Sequence, residues 1–354
     1  MKGLAALALL LLLAACGRPL PPGVTELTYA TPYPPSHPFS RADQRWIHWV
    51  ERQSGGRMRI RPIWSGALLS ADMSMEELRH GVADIGLITP IYTRGGTHLI
   101  RVQSGFYSGA DTVEAQVQLY RCIERQVPEI AHELAGLRVL AVQGGLLPGV
   151  ATRERPIRRL SDLKGMRLRA PTELLPLLER LGADPVNMPM GEVYPALAKG
   201  VLDGVVAPID TFKSLHFAEV TKYYNTLAVP RGAYPARAIS ARAWNRLPPD
   251  QQRILDDSVA VWEAALADEV AASGEAGRRE ALADGIAIDA MAPSEQARFD
   301  RLYLDDAERN ARSLLPLGID GPAAFKVARA SVAGAGQIRC DGAIARQEGK
   351  EIWQ

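Results

Sequence analysis

The chain has 354 residues, enough for about two domains at ~150 residues each, and its 47% apolar content allows a sizeable core. Lys and Arg number 41 against 40 Asp and Glu. That balance lacks the basic field nucleic-acid binding needs, and there is no K/R-rich block, low-complexity segment or convincing internal repeat.

The N-terminus reads MKGLAALALLLLLAAC: one lysine, an apolar run from Leu4 to Leu13, then small residues before Cys16. The run is well short of the ~20 residues a bilayer span needs. It predicts the apolar region of a signal peptide over residues 1–16. LAAC also resembles the bacterial lipobox, whose cysteine is diacylated on sulfur and becomes the new N-terminus. That resemblance implies a protein of the periplasm or cell surface, held to a membrane by lipid on Cys16. The alternative is a plain signal peptide with a chance cysteine. The following GRPLPPG suits a tether over 17–25. Without Cys16, Cys122 and Cys340 are an even pair in an oxidising compartment. They could form a disulfide or stay as two buried thiols, since sequence does not supply the geometry.

Downstream, Glu26–Thr31 predicts a strand, PYPPSHPF a loop, and SRADQRWIHWVERQSGG a helix with Ser40 as N-cap and Gly55 as its stop. RMRIRPIW alternates and predicts a second strand. In SMEELRHG, Ser74 and Glu77 fit a capping box and Gly81 ends the helix. VADIGLIT follows as a third strand. The pattern then recurs: AGLRVLAVQ as a strand, GGLLPG as a corner, GMRLRAP as a strand and TELLPLLERLG as a helix. GEVYPALAKG predicts a helix and VLDGVVAP a buried strand. One long helix is predicted from Leu247, with a bend near Gly274, then a strand in IAIDAM and a helix over APSEQARFDRLYLDDAERNARSLL. Strands alternating with helices imply parallel βαβ units, hence an α/β fold in two lobes. The boundaries drawn are 26–146 plus 232–272 for the first lobe, 147–231 plus 273–333 for the second, and a polar tail over 334–354. A ligand is expected in the cleft, facing the C-terminal ends of strands.

Four segments, in this order, carry a resemblance: SHPF through WVERQSGGRMRIRPIWSGALL; EELRHGVADIGLI; LSDLKGMRLRAP; and GADPVNMPMGEVYPALAKGVLDGVVAP. The helix after RAWNRLPPDQQRIL also fits. Together they resemble the DctP-type solute receptors of tripartite ATP-independent periplasmic (TRAP) transporters, over roughly residues 25–330. The resemblance implies a two-lobed periplasmic-binding-protein-like fold with a long lobe-spanning helix. It also implies that the arginine ending the KG-x-[RK]-x-R-x-P strand, Arg169 here, clamps a ligand carboxylate. A guanidinium fork matches a carboxylate's two oxygens. Strand alternation places Arg167 on the same side as Arg169, further from the strand end.

The chain departs from that family at three positions. Gly149 stands where many members carry a second arginine, Ala207 where many carry asparagine, and Met190 where an aromatic is frequent. The expected pocket is therefore more apolar than that of a sugar-acid or dicarboxylate receptor. It suits a monocarboxylate or other organic anion with a sizeable apolar body. Further candidate pocket residues are Tyr33 and His37 on the loop after the first strand, Thr89 after the third, Glu192 and Tyr194, Asp210, and Tyr234.

Catalytic signatures are lacking. The six histidines are scattered, and there is no HExxH, CxxC, GxSxG or P-loop. No enzyme activity, cofactor or metal is expected. The function expected is capture of an organic anion and its delivery to the small and large TRAP membrane subunits. The alternatives are a sensor of the same fold signalling to a membrane partner, and a surface enzyme.

Overall fold

The computed structural model describes residues 21–93 and 95–340. The signal segment 1–16, Cys16, residues 17–20 of the tether and most of the tail lie outside them. Among the described residues no helix is long and apolar enough to cross a membrane.

Eleven strands occur in the described residues: β1 (Thr25–Ala30), β2 (Met58–Ile63), β3 (Ile85–Leu87), β4 (Leu137–Gln143), β5 (Gly149–Thr152), β6 (Arg167–Arg169), β7 (Asp184–Val186), β8 (Gly204–Ala207), β9 (Tyr223–Asn225), β10 (Tyr234–Ser240) and β11 (Ala287–Asp289). They form two sheets, ordered β2-β1-β3-β10-β4 and β11-β9-β5-β8-β6-β7. Each sheet is mostly parallel with one inserted antiparallel strand. β10 runs against β3 and β4, and β5 against β8 and β9.

Each sheet is covered on both faces, and period-two alternation sorts its residues between them. In the second sheet Val150, Leu168 and Val206 join the cluster around Phe299 and Tyr303. Ala151, Val205 and Ala207 join the opposite cluster around Phe212 and Tyr224. In the first sheet Trp46 on helix Pro38–Gln53 stacks on Trp262 of the long helix at 3.7 Å between ring centroids. The other face carries helix Val113–Gln126 and its neighbours.

Below that tryptophan pair lies a fully buried ion pair. Arg237 on β10 donates from Nε to Asp43 Oδ1 at 3.0 Å, and both side chains are 0% exposed. Asp43 also accepts from Trp262 Nε1 at 2.9 Å and from the Tyr29 hydroxyl at 2.5 Å. Arg237 donates from Nη1 to Gln143 on β4. Burial alone would depress the guanidinium, but the adjacent Asp43 carboxylate holds it above the ordinary arginine range.

Several local expectations need correction. The first helix begins at Pro38 with His37 as its N-cap, because His37 Nδ1 accepts from the Phe39 N–H at 3.2 Å; Ser40 lies inside the helix. Proline suits that first helical position, having no N–H to satisfy. The Ser74–Glu77 capping box is not formed. Glu77 accepts from the Ser70 N–H at 2.8 Å, and the Ser74 hydroxyl accepts from the Thr89 N–H at 3.1 Å. The long helix runs unbroken from Pro249 to Ala283. Along it, Gly274 and Gly277 are points of close approach: a Cβ at 274 would lie 2.6 Å from Leu146 Cδ1, and one at 277 would lie 2.2 Å from the Ile209 carbonyl oxygen. The sequence boundaries place 273–333 wholly with the second lobe. Ala307, Ala311, Ala324 and Ala328 pack instead into the first lobe's core, so helix Gly321–Ser331 returns to that lobe. Cys122, on helix Val113–Gln126, is joined to Cys340 by a disulfide that fastens the chain after this returning helix to the first lobe, across 218 positions.

Asp43→Ala leaves Arg237 buried without its anion and is expected to lower unfolding free energy by about 3–5 kcal/mol in urea denaturation. The double variant Cys122→Ser/Cys340→Ser is expected to lose about 2–5 kcal/mol in the same assay.

Candidate functional site

The chain crosses between the sheets at residues 144–148, from β4 to β5, and at 226–233, from β9 to β10. A cavity of about 120 Å³ sits at these crossings. Gly145, Leu146 and Pro148 line it from the first crossing, Val229 to Gly232 from the second, and Val270 from the long helix. Segments after β1, β3, β6 and β8 supply most of the rest, with Ser104, Met190 and Tyr234 from elsewhere, so the cavity faces the C-terminal ends of those four strands.

Arg169, the last residue of β6, is 4% exposed. Its Nε donates to the Met188 carbonyl at 3.0 Å and its Nη2 to the Tyr92 hydroxyl oxygen at 2.8 Å. It makes no ion pair with any described residue. A buried guanidinium is costly without a nearby negative group; the carboxyl of Glu173, on the same cavity wall, lies near enough for Arg169 to favour its ionised form. Tyr92 accepts from Arg169 and keeps its own proton to donate. Arg167, two residues earlier, is exposed and lies 3.8 Å from Asp184.

One wall is aromatic. The Tyr33 ring stacks on His37 at 4.0 Å with an interplanar angle of 17°, and Phe39 stands edge-on to Tyr33 at 5.4 Å. His37 is held neutral: burial, with Arg237 and Arg41 nearby, pushes it down to about 3. Because Nδ1 accepts a backbone hydrogen bond, the ring proton sits on Nε2. Tyr234, at the start of β10, accepts from Gln143 Nε2 at 3.0 Å. Gln143 is also the partner of Arg237, so this wall is fixed by the buried ion-pair network.

Seven of the ten residues singled out from sequence line the cavity: Tyr33, His37, Thr89, Arg169, Met190, Asp210 and Tyr234. Thr89 contributes little polarity, since its hydroxyl already donates to the Ala71 carbonyl. Ala207, Glu192 and Tyr194 do not line it. The side chain of Ala207 points into the core on the far side of β8, as alternation requires once Val206 faces the cavity. The turn Met190–Glu192 brings Met190 inward and leaves Glu192 exposed. The Tyr194 hydroxyl donates to Glu219 at 2.7 Å, away from the cavity.

Gly149 has a steric reason. A Cβ there would lie 2.3 Å from the Asn225 carbonyl oxygen and 2.6 Å from the Tyr224 hydroxyl, which accepts from the Gly149 N–H at 2.9 Å. No side chain fits at this position. A second cation enters from elsewhere: Arg231, on the crossing before β10, lines the cavity. Tyr92, Glu173 and Arg231 carry no motif; Tyr92 and Arg231 lie in segments without periodicity, Glu173 opens the predicted TELLPLLERLG helix, and only folding brings the three together. Burial raises the Glu173 carboxyl, opposed by Ser104, Arg169 and Arg231. Burial pushes Asp210 up to about 6, opposed by Arg231 and the Ser214 hydroxyl.

The family model for bacterial extracellular solute-binding proteins, family 7 (DctP), matches residues 29–306. A crystal structure of a TRAP solute-binding protein from Rhodoferax ferrireducens, in complex with copurified benzoate, is 26% identical. It superposes with a TM-score of 0.79, covering 87% of this chain and 97% of that one. A TRAP solute-binding protein from Bordetella bronchiseptica with bound (R)- and (S)-mandelate, 22% identical with a TM-score of 0.76, shares the fold over 86% of this chain and 98% of its own. A monocarboxylate 2-oxoacid-binding periplasmic protein from a Nostoc species is 27% identical over 212 residues, 58% of this chain and 57% of that relative. A solute-binding protein from Albidiferax ferrireducens is 27% identical over 218 residues, 58% of this chain and 61% of its own length. The match therefore spans about three-fifths of these two relatives. Together with the two sheets and the cavity at their crossings, the match over residues 29–306 shows that the chain belongs to the bacterial extracellular solute-binding proteins of family 7.

Proposed function

We propose that this chain captures an organic monocarboxylate with an apolar body, and passes it to membrane-embedded TRAP permease subunits. The observation that carries this reading is Arg169, buried in the cavity and in direct ion pair with no described residue. The carboxylate is bound by the free guanidinium edge, with the Tyr92 hydroxyl as a second donor. Much of the remaining wall favours an apolar body: Phe39, Ile91, Leu146, Val206, Val229 and Val270 line it, beside the polar Glu173, Asp210 and Arg231. The benzoate found with the Rhodoferax relative and the 2-oxoacids named for the Nostoc relative agree with such a ligand. Location outside the cytoplasm agrees with the family and with relatives named periplasmic. The lipid anchor at Cys16 is part of this proposal.

Binding would close the two lobes about the crossings at 144–148 and 226–233. A ligand shifts such an equilibrium only through its differential affinity for the two states. Contacts from Arg169 on one lobe and from Tyr33 and His37 on the other meet that requirement.

A thermal-shift screen of benzoate, phenylacetate and 2-oxoacids is expected to find a stabilising ligand, with about 2.7 kcal/mol added at 100 times Kd. Arg169→Ala is expected to abolish that shift and leave the unliganded protein folded. Survival of the shift in Arg169→Ala would overturn the anchor assignment. The second measurement concerns His37. Its folded-state value lies far below the ordinary 6.5, so it contributes stability above pH 6.5 that is lost as pH falls toward about 3. Nitrogen-15 NMR should show His37 as the neutral Nε2–H form throughout pH 5 to 8; a titration midpoint inside that range would refute its burial as a neutral donor.

A further inference from the structure

We propose that Arg231 and Asp210 form a second polar subsite in the cavity, and that this subsite recognises a hydroxyl group on the bound carboxylate. The inference rests on the reading of the cavity as a carboxylate site and adds a chemical class to it: hydroxylated monocarboxylic acids.

Arg231 and Asp210 carry opposite charges and line the same cavity from different segments. Yet they make no ion pair with each other, and Arg231 makes no hydrogen bond or ion pair with any described residue. Long surface arginines are often solvated in that way, but this one is not on the open surface. Its guanidinium packs against the chain at Gly145, where a Cβ would lie 2.5 Å from Cζ. Asp210 is held just as closely by backbone packing. A Cβ on Gly277 of the long helix would come within 2.6 Å of Asp210 Cα. The Ser214 hydroxyl donates to its Oδ2 at 3.3 Å. Two glycines thus permit the approach that sets each charge on the cavity wall. Glycine in the middle of a helix costs about 1 kcal/mol relative to alanine, and Gly277 keeps that residue type where the Asp210 loop must seat.

The chemistry narrows what fits between them. A guanidinium only donates hydrogen bonds, and a carboxylate only accepts them. A hydroxyl does both, donating to Asp210 while accepting from Arg231. A second carboxylate on the ligand would meet Arg231 but be repelled by Asp210, and an ammonium would meet the reverse. An apolar group would leave both charges unpaired in a partly dry space, the costliest arrangement. Glu173 does not complete the pair, since it makes no ion pair with Arg231 and its Oε2 has no partner among the described residues. The arginine absent from position 149, where Tyr224 and Asn225 leave no room, is thus replaced by a cation of different placement with an acid at its side.

The test compares matched acids by isothermal titration: benzoate against its three hydroxybenzoates, and phenylacetate against mandelate. The wild-type protein is expected to bind at least one hydroxylated acid about 10- to 100-fold more tightly than its parent. In Arg231→Met and in the nearly isosteric Asp210→Asn, the ratio of the two affinities is expected to fall by about 10-fold, whatever happens to the parent acid. A ratio near one for every wild-type pair, or ratios preserved in both variants, would overturn the second subsite while leaving the carboxylate reading intact. Failure of every acid to bind the wild-type protein would instead overturn the carboxylate reading, and this inference with it. The wild-type ratio needs no variant, so misfolding of Arg231→Met cannot leave the question open.

Discussion

The buried pair between Asp43 and Arg237 sets the frame in which the cavity exists. Taking two charges out of water costs several kcal/mol each, so such a pair persists only when every remaining donor and acceptor is satisfied. Here Trp262, Tyr29 and Gln143 supply those partners. They come from the long helix, from β1 and from β4, while Asp43 sits on the first helix and Arg237 on β10. One pair therefore fixes five elements relative to one another. It also reaches the cavity, because Gln143 donates to the Tyr234 hydroxyl and Arg237 contributes to holding His37 neutral.

From that frame the division of labour in the cavity follows. The first lobe brings rings held in place by packing: Tyr33, His37 and Phe39 against one another. The second lobe brings Arg169 and Asp210, charges set at strand ends and in the loops that follow them. The crossings bring Arg231 and the apolar Leu146 and Val229. Each crossing is a short segment outside helix and strand, the kind of element that absorbs backbone rotation in hinge motions. The long helix spans both lobes, with Trp262 packed in the first and Gly277 against the second, so it couples their positions.

Local pattern and long-range assembly divide cleanly at particular residues. The alternation Met166, Leu168, Ala170 against Arg167 and Arg169 is visible in the chain, and Pro171 marks where that strand must stop. The helix N-cap at His37 was harder to read, because a histidine ring accepting a backbone N–H competes with the more usual serine one turn later. Strand β5 leaves no sequence signal: Gly149 and Ala151 are small, and four residues give too little alternation to register. The missing Cβ at Gly149 is what lets the Tyr224 ring lie over the strand.

By itself the sequence determined the α/β alternation, the strand that ends in Arg169, and the long helix with its proline start. These depend on periodicity and on turn chemistry, which act over a few residues. The tertiary structure alone decided which side chains share the cavity. Ala207 was excluded because Val206 already took the inward face of β8, and Glu192 because a single turn separated it from Met190. Arg231 was included because a crossing segment with no periodicity passes over Gly145. The approach of Arg231 to Gly145 is a contact between residues far apart in the chain, and its closure is a property of the packed chain that leaves no trace in any short window.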